Sequence, residues 1–226
     1  LTVPLIAAER GWSLSFAMAG LSVALFCAGL VAPSVGRAID RRGGHVVMTA
    51  GSVVAAVGLV AIAHATSPVA YIAAWMVAGI GMAASLYDAA FASLGRIFGG
   101  GARRPITMLT FPGGLASTVS WPVTHLLVAT WGWQGAYLVY AALLVMVAAP
   151  LHAFALPRRH AAMQPDAPTG TAAALKPLPA PPPAKGLVFG LVATAFAAYA
   201  FIPSALSAHM LAIFQRAGID AATAVA

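Results

Sequence analysis

The sequence predicts an all-α fold, a polytopic membrane helix bundle, and three observations lead to it. Of the 226 residues, 61% are hydrophobic and only 8% are charged, whereas a soluble domain is about 25% charged. The apolar runs are continuous rather than alternating, which favours transmembrane helices over a β-barrel. The basic residues lie at alternate ends of these runs. This pattern excludes a soluble enzyme, a disordered tail and a nucleic-acid-binding module, in spite of the net charge of +7.

Stretches without Asp, Glu, Lys or Arg set the number of spans, since about 20 helical residues cross a hydrocarbon core of roughly 30 Å. Residues 11–36 and 186–215 each hold one span. Residues 43–87 and 105–157 each hold two, because turn-forming sequences at 64–68 and 131–135 divide them. The six predicted spans are residues 14–32, 46–63, 69–94, 106–128, 134–156 and 186–214.

The basic residues predict the orientation of the spans. Of the 12 Lys and Arg residues, all but Arg10 and Arg216 follow the first, third or fifth span. By the positive-inside rule these basic loops are cytoplasmic. The sequence therefore predicts a multi-pass protein of the plasma or inner membrane, surrounded by the lipid bilayer. Trp12, Trp131 and Trp133 fall at the opposite face, where aromatic rings favour the interface.

A proline-rich segment divides the chain into two blocks. Residues 157–185 contain the run Pro181–Pro183 and are predicted to form an extended cytoplasmic linker. It separates an N-terminal helix-bundle half, residues 1–156, from the start of a second half, residues 186–226. Residues 8–13 and 214–220 are weakly similar, which either indicates two parallel halves, as in transporters, or is a coincidence. The apolar first residues and the final helix start predict a fragment truncated at both ends.

The segment after the first span, residues 36–45, carries a recognisable motif. It resembles the major facilitator superfamily signature Gly-x-x-x-Asp-Arg-x-Gly, which lies between the second and third helices of that family. The resemblance implies a gating loop that latches two halves together. Gly44 and His45 depart from the basic residues that the family prefers, and Ala92–Leu94 lack the usual acid, so the residues of the family's charge relay are not matched here. The residues implied in the gating role are Gly36, Asp40, Arg41 and Gly43.

Weaker matches agree in order with the same family. Gly79 and Gly81 resemble a glycine pair in the fourth helix of the family. Trp121-Pro122 resembles the Gly-Pro of the fifth helix, and residues 132–134 resemble the beginning of the sixth helix. The resemblance covers the end of helix one to the start of helix eight of twelve. Residues 9–13 and 207–209 are similar to the monocarboxylate-porter-like branch.

Few polar side chains lie inside the spans. Asp88 is the only acid within one, and an ionised carboxylate is costly in lipid, so we expect it to face the bundle interior. It either couples protons or contacts solute, or it forms a structural pair with a residue such as Arg96. His125 is a second candidate, with an ordinary helix–helix hydrogen bond as its alternative. Further candidates are Tyr199 and His209 for solute or protons, and Pro122 and Pro203 for helix packing or kinking.

The leading functional hypothesis is a secondary transporter of a small organic solute, with a carboxylate as one option and proton coupling as another. The alternatives are a sensor or scaffold that keeps the fold without transport, and an intramembrane enzyme. The sequence has no Gly-x-Ser-x-Gly or His-Glu-x-x-His motif, which disfavours the enzyme. With Cys27 as the single cysteine, no metal and no cofactor is expected, and the full-length protein is expected to be a monomer.

Overall fold

The computed structural model describes residues 2–157 and five positions between 190 and 198. The described residues are almost entirely helical and contain no β-strand, which confirms the predicted fold class. The chain divides into two units, Leu1–Asp166 and Ala167–Ala226. In the second unit, the Thr194 hydroxyl donates a hydrogen bond of 2.8 Å to the Gly190 carbonyl, as within a helical turn. The predicted boundaries at 156 and 185 stay predictions.

Seven helices make up the described part of the first unit. A 3₁₀ turn at Gly99–Gly101 joins α5 to α6, and a π-helical turn at Leu144–Ala148 joins α6 to α7. The helices are α1 (Thr2–Arg10), α2 (Leu14–Arg42), α3 (Gly44–His64), α4 (Pro68–Ser85), α5 (Tyr87–Phe98), α6 (Arg103–Leu143) and α7 (Ala149–Ala155).

Four helical segments of this part are long and apolar enough to cross a membrane. They are Leu14–Arg42, Gly44–His64, Pro68–Gly101 and Arg103–Ala155. The last has 53 residues, about 80 Å of helix, which is enough for two crossings of a core of about 30 Å. Apart from residue 156, these segments contain the first five predicted spans, and the sixth, residues 186–214, lies almost wholly outside the described residues.

Helix α2 is longer than predicted and absorbs most of the expected gating loop. It begins after Ser13, whose hydroxyl accepts a 3.2 Å hydrogen bond from the Phe16 amide, and it ends only at Arg42. The predicted end at residue 32 is wrong, because the helix continues past Pro33. A proline removes the backbone hydrogen bond of its own amide, and here the helix tolerates that loss. The chain turns instead at Gly43, with φ 90° and ψ 153°, a conformation that essentially requires glycine.

The third predicted span, residues 69–94, is not one continuous helix but is interrupted at Leu86. Leu86 has φ −92° and ψ −161°, so α4 ends at Ser85 and α5 begins at Tyr87. The Ser85 hydroxyl donates to the Gly81 carbonyl at 2.8 Å, a back-bond that competes with regular helix geometry and often bends helices. The turn before α4 is as predicted, with Ser67 capping the amide of Ala70 at 3.2 Å.

The break predicted at residues 131–135 lies at a single residue. Gly132 has φ 72° and ψ 176° within an otherwise continuous run of helix, so it alone redirects the chain between the fourth and fifth spans. The Thr124 hydroxyl before the break lies 2.5 Å from the Tyr140 hydroxyl after it. This contact pairs the two spans.

Small residues pack the α3–α4 interface, the most extensive in the described part of the chain. A Cβ on Gly51 would lie 2.6 Å from the Ala84 carbonyl carbon, and one on Gly58 would lie 2.6 Å from Ala78 Cα. A Cβ on Gly81 would overlap the Ala55 backbone. Glycine therefore lets the two backbones touch, as small residues do at helix interfaces in membranes.

Candidate solute cavity and helix junction

A cavity of about 980 Å³ opens beside the break between α4 and α5. Its wall comes from the start of α3, from α5, from the first part of α6 and from α7. Most of the lining is aliphatic, aromatic or methionine side chains. The polar side chains among the described lining residues are Ser85, Tyr87 and His152. The size and the apolar wall with few polar groups are those of a small-molecule site.

His152 is the most constrained polar group of this wall. Its Nδ1 lies 3.0 Å from the hydroxyl of Ser52, which is fully buried in α3. The same hydroxyl donates to the Met48 carbonyl at 2.9 Å. The packing of α3 against α7 brings Ser52 and His152 together. The two residues are 100 positions apart, so no local pattern in the sequence could have paired them.

Asp88 lies in the first turn of α5, directly after the break. Its side chain is exposed in the described part of the chain, and its predicted position facing the bundle interior stays a prediction. A carboxylate in a first turn is stabilised by the positive end of the helix dipole.

The motif at residues 36–45 forms a helix junction rather than a loop. Gly36 lies inside α2 with open space around it, while Asp40 and Arg41 are exposed on its last turn. A Cβ on Gly43 would lie 2.9 Å from His45 Nδ1 and 3.2 Å from Arg96 Nη1. The junction therefore brings the end of α5 against the turn between α2 and α3.

Close packing joins the start of α3 to α5 at this junction. A Cβ on Gly44 would overlap the side chain of Ser93, whose Cβ lies 2.6 Å from that position. Ser93 is buried, and its hydroxyl donates to the Ala89 carbonyl at 2.7 Å. Gly44 is one of the two residues that depart from the family's basic residues, Ser93 lies in the stretch that lacks the acid, and here the two contact each other directly.

The remaining predicted residues are spread over the molecule. Gly79 and Gly81 are buried, with Gly79 against the Ala24 backbone in α2 and Gly81 against α3. Pro122 and His125 are exposed on α6, away from the cavity. Tyr199, Pro203 and His209 lie outside the described residues. The structure thus brings together none of the predicted solute or proton candidates that it describes.

A polar cluster at the other end of the bundle ties α1 to the second part of α6. The Glu9 carboxylate accepts hydrogen bonds from the Trp133 indole at 2.5 Å and from the Gln134 amide at 2.6 Å. The Arg10 guanidinium lies 5.6 Å from the centroid of the Trp133 ring, within cation–π range. Trp133 is 3% exposed and packs in one apolar core with Ile6 and Tyr71. The sequence predicted the position of Trp133 at the membrane interface, but it did not predict the hydrogen bond of Trp133 to Glu9.

No metal site is seen in the described part of the chain, where no three His, Cys, Asp or Glu side chains come together. The polar groups of the cavity are hydroxyl and imidazole groups, which suit hydrogen bonding to an organic molecule. The site therefore supports binding of a solute.

Helical spans packed through glycine, one of them broken beside an apolar cavity, define a polytopic membrane protein of the transporter class. A comparison with family models matches the Major Facilitator Superfamily over residues 1–226. The chain belongs to this family, whose members are membrane transporters of small solutes. A search of curated proteins and a search of solved structures found no match. The resemblance noted in the signature motif is confirmed at the level of the family.

Proposed function

We propose that the protein is a secondary active transporter that moves a small organic solute by alternating access. The observation that carries this proposal is the break at Leu86, which lies near the middle of the 34-residue segment Pro68–Gly101 and beside the cavity. Backbone that is not helical is tolerated at membrane depth only where it is covered by protein or lines a cavity. Interrupted helices beside a cavity are typical of transporter binding sites.

The helix junction supports a gating role for Gly36, Asp40, Arg41 and Gly43. Gly43 makes a sharp turn, and the charged side chains of Asp40 and Arg41 project outward from the last turn of α2. Exposed charges at such a rigid corner are available to a second half of the transporter. We assign the cytoplasmic side to this junction, in the plasma or inner membrane, and residues 1–156, 157–185 and 186–226 to the first half, a linker and the start of the second half.

The proposed solute is a small organic acid, carried with protons by a monomeric full-length protein. The similarity of residues 9–13 to the monocarboxylate-porter-like branch supports the acid. Asp88 supports the proton, because it is an exposed carboxylate beside the break in an apolar segment. His125, Tyr199 and His209 are the further candidates for solute or proton contact.

Uptake by the full-length protein in proteoliposomes tests this proposal. We expect at least one member of a panel of small organic acids to accumulate, and to accumulate faster with a pH gradient than without it. Asp88→Asn should abolish the effect of the gradient, because the amide cannot carry the proton, while Asp88→Glu should retain it. Both variants should elute and unfold like the parent protein, since Asp88 is exposed.

Two outcomes contradict parts of the proposal. An unchanged proton dependence in Asp88→Asn removes the role of this carboxylate. A well-folded protein that takes up no solute under any gradient favours the alternative, a sensor or scaffold with the transporter fold.

A further inference from the structure

The hydrogen bonds of Ser52 favour one tautomer of the His152 ring. A serine hydroxyl carries one proton, and that of Ser52 is donated to the Met48 carbonyl at 2.9 Å. The Ser52 oxygen can therefore only accept from His152 Nδ1, 3.0 Å away. In the neutral ring this places the proton on Nδ1 and leaves a lone pair on Nε2.

His152 lines the cavity, and because its Nδ1 contacts Ser52, Nε2 is the ring nitrogen left to accept a hydrogen bond from a solute. The other polar side chains in the described lining are the hydroxyls of Ser85 and Tyr87, and the Ser85 hydroxyl donates to the Gly81 carbonyl at 2.8 Å. No Lys or Arg is among the described lining residues. A bare anion would lose its hydration here without a cationic partner, which is costly. An uncharged group with one donor proton matches the wall.

We propose that this cavity is a binding site for uncharged amphipathic solutes that have an apolar body and a single hydroxyl-type donor, with His152 Nε2 as the acceptor. The class includes phenols, alcohols and organic acids in their protonated form. Met48, Met108 and Leu156 contact the apolar body, and Ser52 acts as a positioning residue that holds the imidazole tautomer. The proposal rests on the proposed function in treating the cavity as part of the solute path.

A matched pair of probes tests the proposal in the full-length protein in detergent, without any gradient. The probes are 4-ethylphenol and 4-ethylanisole, which share an apolar body but differ in the donor proton. Calorimetric titration, with the heat of empty micelles subtracted, should give about fivefold to tenfold tighter binding of the phenol, the worth of one ordinary hydrogen bond. The anion 4-ethylbenzoate should bind more weakly than both.

Variants locate the preference at the imidazole. In His152→Leu the phenol and the ether should bind equally, and in Ser52→Ala the preference should shrink, because the ring is free to place its proton on Nε2. His64→Leu is the control, since His64 is exposed at the end of α3 and outside the cavity. Equal binding of phenol and ether by the parent protein, tighter binding of the anion, or an intact preference in His152→Leu would each overturn the proposal.

Nitrogen NMR of ¹⁵N-labelled histidine reports the protonation of the His152 ring nitrogens. A purely structural role of His152 would not change the Nε2 signal when a probe is added. The signals that disappear in His152→Leu identify the ring, and they should show an unprotonated Nε2 that shifts on addition of 4-ethylphenol but not of 4-ethylanisole. A protonated Nε2 in the neutral ring contradicts the tautomer assignment. If the probes bind with this pattern but the protein takes up no solute, the binding site is supported and the transport proposal is contradicted. If the protein takes up solute but the probes do not bind with this pattern, only the binding-site proposal is contradicted.

Discussion

The α3–α4 interface and the cavity wall are built by opposite means. Glycines bring the backbones of α3 and α4 into contact, and 44% of an 18-residue apolar stretch of α3 is buried. In the segment Arg103–Ala155, which forms part of the cavity wall, only 11% of such an 18-residue stretch is buried. Pro112 and Pro122 lie inside α6 and lack the amide proton for a helical hydrogen bond. A backbone contact cannot slide without a clash, whereas side-chain contacts can adjust. The comparison predicts a rigid scaffold on the α3–α4 side and adjustable walls around the cavity.

The largest expected effect tests the rigid side. Gly81→Ala places a methyl group into the Ala55 backbone, which cannot move without moving α3. We expect a loss of about 1–3 kcal/mol in the free energy of unfolding, the usual range for overpacking. Thermal unfolding in detergent, followed by tryptophan fluorescence, measures it. Gly29→Ala is the matched control, because nothing lies within 4 Å of its added Cβ, and helix propensity predicts a gain of up to about 1 kcal/mol. Equal behaviour of the two variants would contradict the rigid interface.

The helix junction gives an intermediate effect. Gly43→Ala forces a side chain onto φ 90° and against His45 and Arg96, so we expect a loss of about 1–2 kcal/mol. Gly36→Ala, seven residues earlier in the same motif, should be neutral or slightly stabilising, because its backbone is helical and its surroundings are open. The same unfolding assay compares them. If Gly36→Ala is the more damaging of the two, the junction is not determined by the Gly43 turn.

The smallest expected effect tests the adjustable side. Gly113→Ala also places a methyl group onto a neighbour, but that neighbour is the hydroxyl end of the Tyr87 side chain. Tyr87 is about half exposed and can rotate away, so the change in the free energy of unfolding should stay within about 0.5 kcal/mol. A loss as large as that of Gly81→Ala would show that the cavity wall is as rigid as the α3–α4 interface, and would end the comparison.

Span positions could be predicted from sequence because they depend on local composition. Charge-free stretches located the first five spans, and Ser67-Pro68 and Gly132 marked their turns as expected. The break at Leu86 could not be predicted, since it involves a serine back-bond and glycine packing rather than a proline. The expectation for Asp88 rested on the cost of an ionised carboxylate in lipid, which does not determine the helix face on which the side chain lies.

The site was less accessible to sequence reasoning than the fold. Polar residues inside spans were the available signal, and it selected Asp88 and His125 while it passed over His152 near a span end. His152 gains its environment from Ser52 on another helix, and the tight packing that buries Ser52 is a property of the assembled bundle. A long-range pairing of this kind leaves no periodicity or spacing for a single sequence to show.

The tie between Glu9 and Trp133 has a practical consequence. An indole whose N–H is hydrogen-bonded to a carboxylate reports through its emission whether that bond is made. Among the protein's five tryptophans, Trp133 is the one with a carboxylate on its nitrogen in the described part of the chain. Substituting the other four with phenylalanine would leave a label-free optical probe of the separation between α1 and the second part of α6, which can be read while a solute is added.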